Sequence, residues 1–261
     1  MTDDSAARPV RTIAVETEVA GTPEEAWNAL TDPAQISRWF PLAAEVEPGV
    51  GGKVWLSWGP GVEGTAPIHI WDRPARFGWT ENYGEDDQGR PVEVAVDFHV
   101  ETRDGATIVR LVQSGISASA DWDEMYDALT DGWTYFLFNL SYYMDKHPGE
   151  ERHMVWVRPE STRSRKAVWN RLVNGPLVIS SGAGPGGRFD LHMAGGQVGQ
   201  VVSVRPGYHF AGVLPGMNDS ILFIELEGKH VGIWLSTYGG NEEDALELQK
   251  ELEARTAGLL G

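Results

Sequence analysis

Three short segments of this chain recur in the same order. Residues 26–30 (AWNAL) return as 168–172 (VWNRL), 51–54 (GGKV) as 186–189 (GGRF), and 73–77 (RPARF) as 205–210 (RPGYHF). Self-similarity in preserved order implies two copies of one supersecondary unit, which 261 residues can hold at roughly 100 to 200 residues per domain. The expected division is a flexible N-terminus over residues 1–10, a first domain over 11–149 and a diverged second copy over 150–261. The copies are unequal. The second has no Trp-Phe pair after its early helix, and its last helix is leucine-based rather than aromatic.

Local signals set out the first copy. In residues 11–19 (RTIAVETEV), Ile13, Val15, Thr17 and Val19 alternate with polar residues, the period-2 pattern of a strand. A helix follows at Thr22, where Pro23 takes the first helical position and Glu25 completes a capping box. Asp32, Pro33 and Gln35 repeat the device, so a second short helix ends near Trp39 and Phe40. Gly- and Pro-punctuated strands come next. Val92, Val94, Val96, Phe98 and Val100 share one face of their strand, leaving Glu93, Asp97 and His99 on the other. The same alternation puts Phe77, Trp79 and Glu81 together, and Val109, Leu111 and Gln113 inside with Arg110 outside. Glu81 and Gln113 are thus polar groups aimed into an apolar interior.

Residues 131–144 (DGWTYFLFNLSYYM) place nine large apolar or aromatic side chains within fourteen positions, too few to span a bilayer, which takes about 20. A capping box at Asp121 to Glu124 predicts a helix over about 122–147, on the order of 39 Å long. Trp122, Tyr126, Leu129, Trp133, Leu137, Leu140 and Met144 form one stripe, the face expected on the sheet. Gly132 costs about 1 kcal/mol against Ala in such a helix, which points to close approach by a neighbour. Tyr135, Phe138 and Tyr142 lie opposite the stripe and mark an expected interface with another domain or subunit. The second copy closes with a helix capped by Asn241, with Leu246 and Leu248 among its apolar positions.

Charge excludes some functions. At −17, with 38 Asp and Glu against 21 Lys and Arg, the surface repels nucleic acid and anionic membranes. The one basic cluster, RSRK at 163–166, reads as the polar face of a short helix. Without Cys there are no disulfides, thiolate nucleophiles or Cys-based metal sites. The acidic, polar first ten residues lack the apolar run of a secretory signal, so a cytoplasmic protein without membrane insertion is expected. The glycine-rich stretch 181–187 (SGAGPGG) lacks the Lys-Ser/Thr ending of a phosphate loop.

Taken together, residues 22–40 (TPEEAWNALTDPAQISRWF), 71–80 (WDRPARFGWT), 107–115 (TIVRLVQSG) and 131–144 resemble the bacterial proteins related to the activator of the 90-kDa heat-shock-protein ATPase, in the START-like, or SRPBCC, helix-grip superfamily. The resemblance covers about residues 11–147, and 152–261 resemble a diverged second copy. It implies an α+β fold of two tandem helix-grip domains, each a curved antiparallel sheet wrapped around a long C-terminal helix, with a mainly apolar cavity between. The superfamily includes lipid and hormone carriers, polyketide cyclases and co-chaperone domains, so the fold alone names no activity. Where the family's strand motif commonly reads Leu-Thr-His-Ser-Gly, this chain has Gln113 in place of the His. Gln cannot shuttle protons near neutral pH, which counts against acid–base catalysis there.

The expected function is binding of a small hydrophobic or aromatic molecule in the first domain, non-catalytic or regulatory. Trp39, Trp58, Trp79, Glu81, Phe98, Gln113, Trp133 and Leu137 are the expected ligand-binding residues, with Gln113 as polar anchor. A co-chaperone-like interaction module is the alternative, with a homodimer or protein partner. A cyclase or hydrolase acting on an aromatic or polyketide-like substrate is the third reading. For catalysis the candidates are Glu81 and His69, but no nucleophile has an adjacent base, and no catalytic residue is assigned. Asp97, His99, Glu93 and Glu101 are strung along one strand face and do not converge as zinc ligands must, so neither metal nor cofactor is expected.

Overall fold

Short strands punctuated by Gly and Pro favour antiparallel pairing between sequence neighbours, and such pairing builds both sheets. The computed structural model describes residues 9–85, 89–180 and 182–260. The chain divides into two compact units, Met1–Gly149 and Glu150–Gly261. The flexible N-terminus expected over 1–10 falls, for residues 1–8, outside the described residues, and Val10 already belongs to a strand.

The first unit runs β1 (Val10–Val19), α1 (Pro23–Thr31), α2 (Pro33–Ile36), β2 (Ala43–Val46), β3 (Lys53–Ser57), β4 (Glu63–Asp72), β5 (Arg76–Glu85), β6 (Pro91–Arg103), β7 (Ala106–Ser117) and α3 (Asp123–Lys146). The second runs β8 (Arg152–Val157), α4 (Arg165–Leu172), β9 (Val178–Ile179), β10 (Arg188–Leu191), β11 (Gln197–Arg205), β12 (His209–Leu214), β13 (Ser220–Glu227), β14 (His230–Tyr238) and α5 (Glu242–Leu260). Their sheets have one topology, β1-β7-β6-β5-β4-β3-β2 and β8-β14-β13-β12-β11-β10-β9. Each unit is a seven-stranded antiparallel sheet with early helices between its first two strands and a long helix at its end. These are two tandem helix-grip domains.

The early helices start where the sequence says. Thr22 accepts from the Glu25 backbone N–H while Glu25 accepts from the Thr22 N–H at 2.7 Å, and the Asp32 carboxylate accepts from Ala34 and Gln35. The start of α3 differs. Asp121 lies inside a 3-10 turn, Ala120–Trp122, rather than in the extended backbone an N-cap needs, so the expected capping box does not form. Arg11 holds this segment instead. Its guanidinium donates to the Ser117 carbonyl at 2.8 and 3.0 Å, pairs with Asp123 at 2.6 Å and stacks 4.6 Å over the Tyr126 ring. Gly132 also departs from expectation, because a Cβ built there meets nothing within 4 Å.

Two bulges re-aim side chains. On β7, Thr12 pairs with Ser114 and Arg11 with Ile116, so Gly115 is the extra residue; its φ of +95° and the Glu93 carbonyl beneath it leave no room for a Cβ. The inward series Leu111, Gln113 is thereby rephased to Ile116. On β4, Ile68 pairs with Trp79 and Ile70 with Gly78, so His69 is the extra residue.

The helix α3 lies along the sheet and guards its edge, with the hydroxyls of Tyr126 and Ser141 donating to the Thr12 and Glu18 carbonyls of β1 at 3.2 and 2.7 Å. In the second unit Gln249 of α5 does this for β8, accepting from the Trp156 N–H and donating to its carbonyl, both at 2.9 Å. The second core is largely aliphatic, and Leu252 is its fully buried contribution from α5. Leu246 is exposed. No helix among the described residues is long and apolar enough to cross a membrane.

Candidate functional site

The interior of the first unit is walled by rings. Trp79 of β5 lies 5.7 Å from Phe98 of β6, and Phe98 lies 6.0 Å from Trp133 of α3. Phe40 touches Trp39, Trp58, Trp133 and Phe136 at 4.6 to 5.3 Å, which makes it the hub of the aromatic wall. Alternation along β5 and β6 faces their rings inward, and the helical stripe supplies Trp133 and Leu137, both buried. Trp39 is tied to α1 by its Nε1–H, which donates to the Ala29 carbonyl at 2.9 Å. Trp58 is half-buried at the rim.

A polar belt crosses this wall. Gln113 is 0% exposed, and its Oε1 accepts from Trp133 Nε1 at 2.8 Å. Glu81, half-buried on β5, accepts from Trp79 Nε1 at 2.8 Å. Two positions on, Tyr83 faces the same way. Burial, with the negative charge of Glu81, pushes its phenol far above the ordinary tyrosine range, while the Gln113 amide pulls slightly the other way. Tyr83 therefore keeps its proton at any physiological pH. Beyond the belt lies a separate aliphatic cluster of Ile13, Val92, Val94 and Ile116, capped by Tyr83, Trp122, Tyr126 and Leu129. Gln113 sits between the two, paired with Ile13 on one side and Val96 on the other.

Among the described residues, two buried side-chain atoms lack a hydrogen-bond partner, Gln113 Nε2 and Asn139 Oδ1. Asn139, on α3, donates through Nδ2 to the Trp39 carbonyl at 3.3 Å. At the aromatic wall, between Leu30, Trp39, Phe40, Leu56, Trp79 and Phe98, a space of about 10 Å3 remains. That is room for about one water.

The structure brings Trp79, Glu81, Phe98, Gln113 and Trp133 to one place, with Trp39, Trp58 and Leu137 around them. It separates Glu81 from His69, which were paired as candidates for catalysis. Alternation along β4 with the buried Ala66 and Ile68 puts His69 on the opposite sheet face, where Nε2 meets Asp97 at 2.7 Å and Nδ1 meets the Thr80 hydroxyl at 3.0 Å, above Gly78. No cluster of three metal-ligating side chains occurs among the described residues. Tyr135 is buried beside Phe136, while Phe138 and Tyr142 are half-buried, 5.3 Å apart. Sequence reasoning missed Tyr83, Phe40, Phe136 and Asn139. The alternation of Phe77, Trp79 and Glu81 extended by two reaches Tyr83; Asn139 lies off the apolar stripe and gives no such signal.

Residues 20–145 match the family model described as activator of Hsp90 ATPase homolog 1-like protein. The first unit belongs to that family. Its topology repeated in the second sheet makes residues 150–261 a diverged second copy of the family's fold. Among solved structures, the chain is similar to a protein of Mesorhizobium loti at 24% identity and TM-score 0.46, over 52% of this chain and 98% of that one. It is similar to DynU16, from the dynemicin biosynthetic locus, at 17% identity and TM-score 0.45, over 95% and 96% of the two chains. Aha1 from Colwellia psychrerythraea, solved as a dimer, is similar at 18% identity and TM-score 0.44, over 53% and 99%. No curated protein matches the chain.

Proposed function

We propose that the first domain binds a small hydrophobic or aromatic molecule between its sheet and α3, without turning it over. The observation that carries this reading is the amide of Gln113, fully buried with its Nε2 unpaired. Folded proteins pair nearly all buried donors, so an unpaired one amid aromatic walls marks a place for a partner. The present space admits only about one water, so a ring-sized ligand enters as side chains move. The half-buried end at Glu81, Tyr83 and Trp122 is the proposed way in.

Native mass spectrometry of the purified protein against a library of neutral aromatic compounds tests this. Saturable binding of one molecule per chain, with a matching rise in Tm, is expected. A folded protein that takes up none of them would refute the reading.

The second reading is a protein-contact role for the face carrying Tyr135, Phe138 and Tyr142, favoured by the half-buried Phe138 and Tyr142 pair. Phe138→Asp should then lower stability or change the mass measured by light scattering, and an unchanged protein would remove this reading.

A further inference from the structure

The Gln113 amide cannot be turned around. An indole N–H only donates, so the atom facing Trp133 Nε1 at 2.8 Å must be the carbonyl oxygen, and Nε2 must carry the free N–H groups. The Tyr83 phenol oxygen lies close enough for the Gln113 amide to pull its pKa down slightly, yet it does not meet Nε2 in hydrogen-bond geometry. What this position lacks is an acceptor.

The surroundings limit which acceptor fits. Glu81 stands in the same belt, its negative charge helping to hold the Tyr83 proton, and a second anion beside it would be repelled. Trp79, Phe98 and Trp133 touch one another at 5.7 and 6.0 Å and form a continuous aromatic wall, a surface that suits an apolar ring laid against it rather than a charged group. The second domain supplies an internal contrast. Leu235 pairs with Val155 of its first strand as Gln113 pairs with Ile13, and no orphan donor occurs among that domain's described residues.

We infer that the ligand is a neutral ring compound bearing a carbonyl or hydroxyl oxygen, and that this oxygen docks on Gln113 Nε2. Gln113 is then the specificity-determining residue. This rests on the ligand-binding reading above and adds the ligand's chemistry.

The test compares two fluorescent probes on the intact protein: 6-propionyl-2-dimethylaminonaphthalene, a neutral ketone, and 2-dimethylaminonaphthalene, the same ring system without the carbonyl. The ketone should bind about tenfold more tightly to the wild type, the value of one hydrogen bond to a buried, otherwise unpaired donor. In Gln113→Leu that preference should vanish while the parent compound keeps its affinity. The ketone's infrared carbonyl stretch in the wild-type complex should lie below its value in an apolar solvent, a readout that needs no variant. Equal affinity of both probes for the wild type, with an unshifted stretch, would overturn the inference and leave the binding reading standing. Binding of neither probe would overturn both.

Discussion

The two domains share a strand order and differ in what fills the space between sheet and helix. In the first, α3 brings Trp133 against Phe98 and a buried Gln113, and a polar belt through Glu81 and Tyr83 divides the interior. In the second, Leu235 takes the position of Gln113, and Phe189 meets Phe210 at 5.1 Å with its ring over Gly199 and Gly212, where no Cβ could fit. The buried cluster of the second domain is largely aliphatic. One topology thus carries a buried amide without a partner in one copy and an aliphatic side chain at the matching position in the other.

The largest test of that contrast writes the first domain's residue into the second. Leu235→Gln should cost about 3 kcal/mol in urea unfolding, from lost apolar burial and an amide with no partner. A loss near zero would mean that the second core is not tightly packed.

A smaller effect comes from Trp133→Phe, which strips Gln113 of its one hydrogen bond and should destabilise by about 2 kcal/mol. Adding Gln113→Leu should restore about 1 kcal/mol, since replacing both partners by apolar groups removes the unpaired amide. Additive losses in the double variant would show that the pair does not act as a unit.

Tyr83 gives the contrast a pH signature. Its folded-state pKa lies above the ordinary 10.0, so the native state keeps a proton that the unfolded chain releases. Stability from this source is intact below about pH 10 and falls as pH rises beyond it, because there the unfolded state binds fewer protons. Tyr83→Phe should flatten the alkaline limb of a stability–pH curve; an unaltered limb would place the phenol in solvent.

Gly132→Ala is the smallest, a gain of about 1 kcal/mol or less, because the helix gains propensity and the added methyl meets nothing. A loss at this position would reveal a contact formed only when the site is occupied.

What could be read from the sequence was whatever short-range chemistry decides. Thr22 with Glu25 and Asp32 with Pro33 fix helix starts by contacts within three residues, and strict alternation placed Gln113 and Glu81 inward. The start of α3 was misread because Arg11, far away in sequence, holds it. The β4 bulge at His69 is not legible in the sequence, because it carries no Gly and shows only in the pairing with β5. The water-sized space at the aromatic wall could not be foreseen, since it depends on how Phe40 interlocks with four other rings rather than on which faces are apolar.

The most direct measurement follows the indole and side-chain amide N–H signals by nitrogen-15 NMR while the naphthyl ketone is added. The account predicts shifts at the Trp79 and Trp133 indoles and the Gln113 amide, with Trp156 and Trp234 of the second domain unmoved. Shifts confined to Trp156 and Trp234, or saturable binding that leaves the Gln113 amide where it was, would contradict it.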